Sequence, residues 1–333
     1  MANIEKIKFE QNQPLLTYIE QLLEDKFSIS SSDRVLNVIE IGCGSGDFTL
    51  ILKDKFKDKV QVTAIDPSET DLAAAKEKNV DASVDFQQSD IFKFSSTTRY
   101  DLVLFTKSLH HCIPVDQAVK NAYNLLSDDG IFLAEEIYLD RMQTKDTRWF
   151  FDRLDLLLKT ECMTSLEEAA AKNQPSYKPM VAKLLNSSLP IEERWFRPHH
   201  HHHHGEHHHG EHKHGEHKHG EHKHAEHKHA EHKHEEHDHE EGHTHQHHPH
   251  QEHKEHGEHE KKDYLSEIVG SSAVIDAITA QFGQQNITLT KVPYFYQFLA
   301  FCGLKNIPVL QEFYKQEVRA VESGIIAPLG IHI

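Results

Sequence analysis

Short apolar runs and amphipathic segments alternate along the first 137 residues of the chain. Five apolar positions between Val35 and Ile41 lead directly into three glycines, and apolar residues then recur at helical spacing from Phe48 to Phe56. This order is typical of a buried strand, a tight turn and a helix. The same reading predicts four more strands: Val60–Ile65, a short one at Val84 and Phe86, Tyr100–Phe105 and Ile131–Ile137. Five β-α units in series specify an α/β fold with a doubly wound, mostly parallel sheet.

Helix signals lie before, between and after these strands. Ser68 and Asp71 have the spacing of a capping box, and Asn79 can end the helix that they open. Four prolines (175, 179, 190 and 198) are expected to break the chain after residue 171 into loops and short helices. The other predicted features of this part are a helix from Pro14 to Lys26 with Pro14 at its opening position, a helix opened by Pro114, a turn at Ser127–Gly130 and a helix from Arg141 to Ala171.

The globular pattern resumes near Asp263. Leu265, Ile268, Val269 and Ile278 predict a helix that Gly283 can cap. The remaining expectations are a strand over Asn286–Val292, a second strand over Tyr294–Phe301, and a last helix from Leu310 to Val321 that Gly324 ends. The stretch Tyr294–Phe301 also fits an aromatic helix, but its aromatic content favours a strand.

The glycine turn has a distinctive spacing. The segment VLNVIEIGCGSGD carries E-x-G-x-G-x-G from Glu40 to Gly46, whereas a dinucleotide fingerprint, G-x-G-x-x-G, would need glycine at Asp47. A turn that brings its backbone against a ligand needs positions without a Cβ. Asp66 ends the second strand about twenty residues later, where an acid accepts hydrogen bonds from ribose hydroxyls. The alternative for Asp66 is an ordinary turn aspartate.

Three further motifs follow in order: SDIF after the third strand, SLHHC after the fourth, and LLSDDGIFLAEE leading into the fifth. Together with the glycine turn and Asp66, they resemble the motifs of the class I S-adenosylmethionine-dependent methyltransferases. The resemblance is close from Val35 to about Ile137 and implies a seven-stranded Rossmann-like sheet with S-adenosyl-L-methionine as cofactor. It implies that residues 138–198 form a substrate lid. The cofactor-binding residues that it implies are Glu40, Gly42, Cys43, Gly44 and Gly46 at the methionine end, Asp66 at the ribose, Asp90 and Ile91 at the adenine, and Thr106, Lys107 and Ser108 near the sulfur.

A general base is optional in methyl transfer, because alignment and desolvation do most of the work. His111 is the first candidate, followed by His110, Glu135 and Glu136. The alternative for His111 is a polar residue at a loop-to-helix junction. Tyr294 and Tyr296 fit a pocket wall or, as aromatic clusters more often do, the core.

Composition restricts the partners and the compartment. The net charge of -17 disfavours a nucleic-acid substrate. Four scattered cysteines without a C-x-x-C pair are expected to be free thiols in a reducing compartment. No apolar run approaches the roughly 20 residues of a membrane span, and the first residues lack a signal-peptide core, so a soluble cytoplasmic protein is expected.

Residues 199–259 hold 29 of the 32 histidines. EHKH recurs every five residues from position 211, and 14 acids stand against 6 lysines. With no apolar residue larger than alanine, the tract is expected to be disordered. Neutral imidazole is a common ligand of Ni²⁺ and Zn²⁺, and a passive repeat expansion is the alternative to a metal role. The exchangeable metal ligands predicted are His212, His214, His217, His219, His222, His224, His227, His229, His232 and His234.

The predicted organisation is a methyltransferase domain in two parts, residues 1–198 and 260–333, around this insertion. The leading hypothesis is a methyltransferase that acts on a small-molecule acceptor and binds divalent metal ions on the tract. The alternatives are a nickel or zinc buffer protein on a methyltransferase-like scaffold and, less favoured because of Asp47, an NAD-dependent oxidoreductase. No oligomeric state follows from the sequence.

Overall fold

The computed structural model describes residues 2–138, 142–164, 178–195 and 269–333. Within them lie seven strands: β1 Leu36–Ile41, β2 Val60–Asp66, β3 Val84–Gln88, β4 Tyr100–Thr106, β5 Leu126–Ile137, β6 Thr290–Val292 and β7 Gly330–His332. The α-helices are α1 Ala2–Phe27, α2 Asp47–Phe56, α3 Glu69–Lys78, α4 Val115–Leu125, α5 Thr144–Lys159, α6 Lys178–Leu185, α7 Ile191–Arg194, α8 Ser271–Phe282, α9 Phe295–Phe301 and α10 Ile307–Glu322.

All seven strands form one sheet, in the order β3-β2-β1-β4-β5-β7-β6. The first five strands are parallel, and β7 runs antiparallel to both β5 and β6. The order reverses between β1 and β4, so the carboxyl ends of these strands form the crevice in which open α/β sheets bind ligands. The predicted α/β class and the seven-stranded, mostly parallel sheet are confirmed.

Helices cover both faces of this sheet. On one face, α1 and α2 pack Leu16, Ile19 and Leu52 against the strands. On the other face, α4 and α8 contribute Val119 and Val274. Strand β4 is buried along nearly its whole length, as expected for a central parallel strand between two helical layers.

Several predicted boundaries were wrong. Pro14 lies inside α1, which begins at Ala2, and not at its opening position; the earlier turns belong to the helix because Ile7 is buried in a core cluster. Strand β5 already begins at Leu126, so Ser127–Gly130 forms a register irregularity within the strand that pairs with β4. Helix α5 ends at Lys159, short of Ala171, because the chain turns at Glu161, whose φ is 56°. Residue 141 and residues 165–171 of that predicted helix lie outside the described residues.

The largest error concerns Tyr294–Phe301, which is the helix α9 and not a strand. The side chains of Phe295, Tyr296 and Leu299 are almost fully buried, so no exposed face gives the stretch a recognisable period. The carboxylate of Glu317 on α10 accepts the backbone N–H groups of residues 294, 295 and 296 at 2.5–2.9 Å, and so satisfies the start of α9. Tertiary packing overrides aromatic strand propensity here.

The strands near the C-terminus also differ from the prediction. Strand β6 covers only Thr290–Val292, because Gln284–Asn286 form a 3-10 turn. The last strand of the sheet is β7, for which no strand was predicted, after the correctly predicted last helix. Helix α8 ends at Gly283 as expected but begins at Ser271, and Leu265 and Ile268 lie outside the described residues.

Candidate active site

The glycine turn connects β1 to α2 at the crevice. Gly42, Gly44 and Gly46 all have positive φ, between 52° and 76°. A Cβ at Gly42 would lie 2.5 Å from Cβ of Ser108, so β4 and the turn approach as closely as glycine permits. A Cβ at Gly44 would meet no atom of the described residues within 4 Å. Gly44 therefore presents its backbone to open space, the arrangement expected of a turn that lies against a ligand.

Asp66 at the end of β2 fixes the conformation of this turn. One carboxylate oxygen accepts the N–H of Gly44 at 2.7 Å and the other accepts the N–H of Ser68 at 2.8 Å. The backbone N–H groups of Gly42 and Cys43 donate to the carbonyl of Ile65 at 2.8 and 3.1 Å. Burial raises the pKa of Asp66, against the effect of these backbone donors. Each oxygen keeps a second lone pair, so Asp66 can hold the turn and still accept a bond from a ligand.

Glu40 and Cys43 lie beneath the turn. The side chain of Glu40 is buried, and its two oxygens accept the hydroxyls of Thr49 on α2 and Thr106 on β4 at 2.5 Å. Burial raises the pKa of Glu40 although both hydroxyls lower it. Burial and the nearby carboxylates of Glu40 and Asp66 hold the pKa of the Cys43 thiol far above its usual value. Glu40 therefore ties β1, α2 and β4 together at the predicted methionine end of the site.

Asp90 and Ile91 follow β3 on the same side of the crevice. One oxygen of Asp90 accepts the N–H groups of Phe92 and Lys93, both at 2.9 Å, and the other lies 3.0 Å from the Lys93 ammonium. Burial opposes ionisation of Asp90, but these partners together lower its pKa. The Ile91 side chain is buried, and its carbonyl accepts the amide of Asn121 at 3.1 Å. Asp90 thus presents an ordered carboxylate at the predicted adenine end.

Lys107 follows Thr106 directly and has an unusual backbone conformation for its residue type, with φ of 62°. Its ammonium donates to the amide oxygen of Gln297 on α9 at 3.0 Å and lies 3.6 Å from Glu135 on β5. Gln297 in turn donates to Glu135 at 3.2 Å. Burial opposes ionisation of Glu135, but Lys107, His332 and Gln297 together lower its pKa.

Two members of this polar group, Gln297 and His332, were not predicted. Nε2 of His332 lies 3.5 Å from Glu135, and its ring lies 4.7 Å from that of Tyr18 on α1. Gln297 was hidden in the stretch interpreted as a strand, and His332 in a C-terminal segment without a predicted element. Tyr294 and Tyr296 are each 3% exposed. They pack in the core, which was the favoured interpretation, and the alternative was a pocket wall.

The two adjacent histidines of the SLHHC motif have different environments. Nδ1 of His110 lies 2.5 Å from Oε2 of Glu136, and Oε1 of Glu136 accepts the N–H of Leu109 at 3.0 Å and of His110 at 3.3 Å. His111 is exposed, and its ring centroid lies 4.0 Å from that of His110. Although the residue is exposed, desolvation of its ring by nearby atoms and the neighbouring His110 lower the pKa of His111 to about 4. The predicted role of His111 as a base stays a prediction.

The predicted metal ligands, from His212 to His234, lie outside the described residues. Within residues 2–138, 142–164, 178–195 and 269–333, no group of three or more His, Cys, Asp or Glu side chains is placed to hold a metal ion. All four cysteines are described, and all four are free. In the described part of the chain no helix has the length and apolar character of a membrane span.

A doubly wound sheet with an open glycine turn between acidic strand ends defines a nucleotide-cofactor enzyme. Residues 32–189 match the family described as "Methyltransferase domain". An uncharacterized methyltransferase of Staphylococcus carnosus is 30% identical over 167 residues, which cover 47% of this chain and 75% of that protein. A malonyl-[acyl-carrier protein] O-methyltransferase of Bacillus anthracis is 33% identical over 111 residues, 33% of this chain and 40% of that protein. The chain belongs to the class I S-adenosylmethionine-dependent methyltransferases.

A solved structure of the N-methyltransferase NodS from Bradyrhizobium japonicum, in complex with S-adenosyl-L-homocysteine, is 24% identical. The match covers 38% of this chain and 61% of that chain, with a TM-score of 0.31. At this score the likeness carries no argument about acceptor or mechanism. The chain spans three quarters of the staphylococcal protein but less than half of the B. anthracis enzyme, so acceptor and partners do not follow from these relatives.

The described residues fit S-adenosyl-L-methionine as cofactor. The open side of Gly44 is a cradle that a Cβ would fill, and carboxylates stand at both predicted hydrogen-bonding ends, Asp66 and Asp90. The assignment of individual residues to parts of the cofactor stays a prediction.

Proposed function

We propose that this methyltransferase acts on a small-molecule acceptor in the cytoplasm. Residues 1–198 and 260–333 would form its catalytic domain, and residues 199–259 an insertion that takes no part in methyl transfer. The observation that carries the proposal is the open glycine turn at Gly44, held by the Asp66 carboxylate. The acidic charge of -17 supports an acceptor other than nucleic acid.

The bound cofactor would supply an electrophilic methyl group on a sulfonium. For this, Gly42, Cys43 and Gly44 would hold the methionine part with their backbone, supported from below by Glu40. Asp66 would accept the ribose hydroxyls, and Asp90 with the Ile91 backbone would bind the adenine. Thr106 and Lys107 stand at the end of β4, next to the acceptor side of the crevice, where the lid segment 138–198 would exclude water.

Calorimetry with S-adenosyl-L-homocysteine tests the cofactor part of this proposal. Asp66→Ala is expected to weaken binding by about 1.5–3 kcal/mol, as expected for the loss of a charged hydrogen-bonding partner. Asp66→Asn is the matched control, because its amide oxygen can still accept one of the two backbone N–H bonds. Thermal unfolding of each variant separates loss of binding from loss of fold. Tight NAD binding without binding of S-adenosyl-L-homocysteine would contradict the proposal.

The acceptor is identified by product analysis. A cell extract is divided by size into a small-molecule fraction and a macromolecular fraction. Each fraction is incubated with the protein and methyl-labelled cofactor, and the labelled product is identified by mass spectrometry. Label in the small-molecule fraction supports the proposal. Label confined to protein or nucleic acid contradicts it.

A second function, binding of Ni²⁺ or Zn²⁺, is favoured by one observation: residues 199–259 contain 29 histidines, many in EHKH repeats. Histidines three apart, such as His214 and His217, would share a helix face and hold an ion between them. Lower pH would release the ions, since protonated imidazole is not a ligand.

Deletion of residues 199–259 separates the two functions. Intact binding of S-adenosyl-L-homocysteine with loss of Ni²⁺ tolerance in cells would show that the tract has an independent metal role. Unchanged tolerance would favour a passive repeat expansion. Replacing the EHKH histidines by asparagine, at constant length, is the control for the effect of shortening the chain.

A further inference from the structure

We propose that the general base of methyl transfer is Nε2 of His110, with Glu136 as its positioning residue. This inference rests on the proposed function and concerns the acceptor side of the same site. Such an enzyme would act on an acceptor whose nucleophile is a hydroxyl or a protonated nitrogen, because each of these must lose a proton to give the neutral methylated product.

The first step of the argument is the tautomer of His110. Nδ1 faces Oε2 of Glu136 at 2.5 Å, while the other carboxylate oxygen accepts two backbone N–H groups. A carboxylate is an acceptor only, so the proton of a neutral imidazole must lie on Nδ1. Nε2 then carries the free lone pair.

The second step is access to Nε2. Among the described residues no side chain or backbone group is hydrogen-bonded to this nitrogen, and it is not among the fully buried unpartnered atoms. The His110 side chain is 13% exposed, whereas Glu136 is 2% exposed. The carboxylate is therefore shielded, whereas the imidazole of His110 keeps some exposure.

The third step is position. Ser108, two residues before His110, packs against the glycine turn at Gly42. Cys112, two residues after it, donates its thiol to the carbonyl of Ser108 at 3.4 Å and so closes the short turn that contains both histidines. The loop with His110 thus lies next to the glycine turn, at the carboxyl end of β4.

His111 is the less suitable of the pair. Its pKa of about 4 makes it a weak base at neutral pH, whereas the His110 ring is oriented by the Glu136 carboxylate at Nδ1.

The proposed step balances in atoms and charge. A hydroxyl gives its proton to Nε2 as an oxygen lone pair forms the bond to the methyl carbon, whereas an ammonium gives its proton to Nε2 first and then attacks with the lone pair that is freed. In both cases the carbon–sulfur electron pair stays on sulfur. The Glu136 carboxylate stabilises the imidazolium that forms, as the carboxylate of a catalytic triad does.

The test compares His110→Asn and Glu136→Gln with the control Asp116→Asn, which changes an exposed acid in the first turn of α4. Transfer of label to the product that the wild type labels is expected to fall about 100-fold or more in the first two variants and to stay within about threefold in the control. Binding of S-adenosyl-L-homocysteine is expected to be unchanged in all three. Glu136→Gln can still accept the two backbone bonds, but its amide would donate to Nδ1 and place the ring proton on Nε2.

A second readout is independent of turnover. Ring-nitrogen NMR of the full chain, with the His110 signal assigned by its loss in His110→Asn, is expected to show a bare Nε2 in the wild type and a protonated Nε2 in Glu136→Gln. Full labelling activity in His110→Asn, or a wild-type Nε2 that carries the proton, would overturn the assignment while the methyltransferase stands. Absence of any labelled product with the wild type would overturn the proposed function, and this inference with it.

Discussion

The crevice and the aromatic region of the protein are stabilised in different ways. At the crevice, the carboxylates of Asp66, Asp90 and Glu136 accept backbone N–H groups within a few residues of a strand end. The aromatic region, formed by α5, α6, α7, α9 and α10, is a cluster of apolar side chains in which Phe150 stacks on Phe295 at 4.9 Å. The first arrangement orders backbone for a ligand, and the second buries apolar surface, so substitutions should affect binding in one region and stability in the other.

The largest stability effect is expected at Arg194, which is 1% exposed. Its guanidinium binds both oxygens of Asp155 at 2.7 and 2.9 Å, donates to the carbonyl of Leu184 and lies 4.2 Å from the Phe151 ring centroid. Arg194→Met leaves the buried carbonyl of Leu184 and the partly exposed carboxylate of Asp155 without their donor, and is expected to lower the free energy of unfolding by about 3–5 kcal/mol. Urea denaturation measures this.

The control for Arg194 is Arg319→Met, which removes an exposed ion pair with Glu312 and should cost less than about 1 kcal/mol. Affinity for S-adenosyl-L-homocysteine should be unchanged in both folded variants. A parallel loss of affinity in Arg194→Met would show that the two regions are not separate.

Glu317 is expected to make the stability of the aromatic region depend on pH. Burial raises its pKa to about 7, against the lowering effect of the N–H groups of residues 294–296. Because about 4.3 is the value for an unfolded chain, the folded protein holds a proton that the unfolded chain has released between these pH values. The stabilisation that comes from the raised pKa of Glu317 is therefore fully present below about pH 4.3 and is lost as the pH rises through about 7.

Glu317→Gln is expected to remove this dependence. The difference in unfolding free energy between wild type and variant should change by up to about 1.4 kcal/mol per pH unit between pH 4.5 and 7, the slope for one proton. Urea denaturation across this range measures the difference, in which unaltered histidines cancel. A difference independent of pH would mean that Glu317 is ionised throughout, as a carboxylate cap for α9.

The same contrast explains which features were predictable. The glycine turn was predicted because its motif is local: three glycines follow directly after an apolar strand, and Asp66 and Asp90 lie at or just after the ends of the next two strands. The aromatic region was predicted poorly because its partners are distant in sequence. The residue that caps α9 is Glu317, and nothing in Tyr294–Phe301 indicates that a carboxylate on the next helix would satisfy its first N–H groups.

The polar group around Glu135 shows the same limit within the site. Lys107 and Glu135 were candidates because they lie just after the predicted fourth strand and within the predicted fifth strand, whereas Gln297 and His332 come from α9 and β7. Only the folded sheet brings β7 beside β5. A sequence pattern contains no signal for such a pairing.

Gly42 and Gly44 are expected to differ in what a substitution affects: stability at Gly42 and cofactor binding at Gly44. Gly42→Ala places a Cβ 2.5 Å from Ser108 in a left-handed backbone, and the overlap and the backbone strain together should lower the unfolding free energy by about 2–4 kcal/mol. Gly44→Ala meets no atom, so its stability cost should be limited to the left-handed backbone, about 1–2 kcal/mol, but its methyl group would enter the cradle. Calorimetry should show an affinity for S-adenosyl-L-homocysteine weakened at least about tenfold in Gly44→Ala.

The affinities of the two glycine variants test which side of the turn faces the cofactor, whichever variant is more stable. Unchanged affinity in Gly44→Ala would place the cofactor away from the open side of the turn. A loss of affinity in Gly42→Ala as large as that in Gly44→Ala would show that the turn responds as one unit.

The smallest effect is expected at Lys93, whose ammonium lies 3.0 Å from Asp90 but whose side chain is 83% exposed. Exposed ion pairs contribute about 0–1 kcal/mol, so Lys93→Met should change the affinity for S-adenosyl-L-homocysteine less than about fivefold. Asp90 would keep its two backbone donors, residues 92 and 93, and with them its orientation. Asp90→Ala, by contrast, removes the carboxylate and should weaken binding by about 1.5–3 kcal/mol. Equal losses in the two variants, measured by calorimetry, would mean that Lys93 itself contacts the cofactor, and would move the adenine end of the site outward from the strand ends.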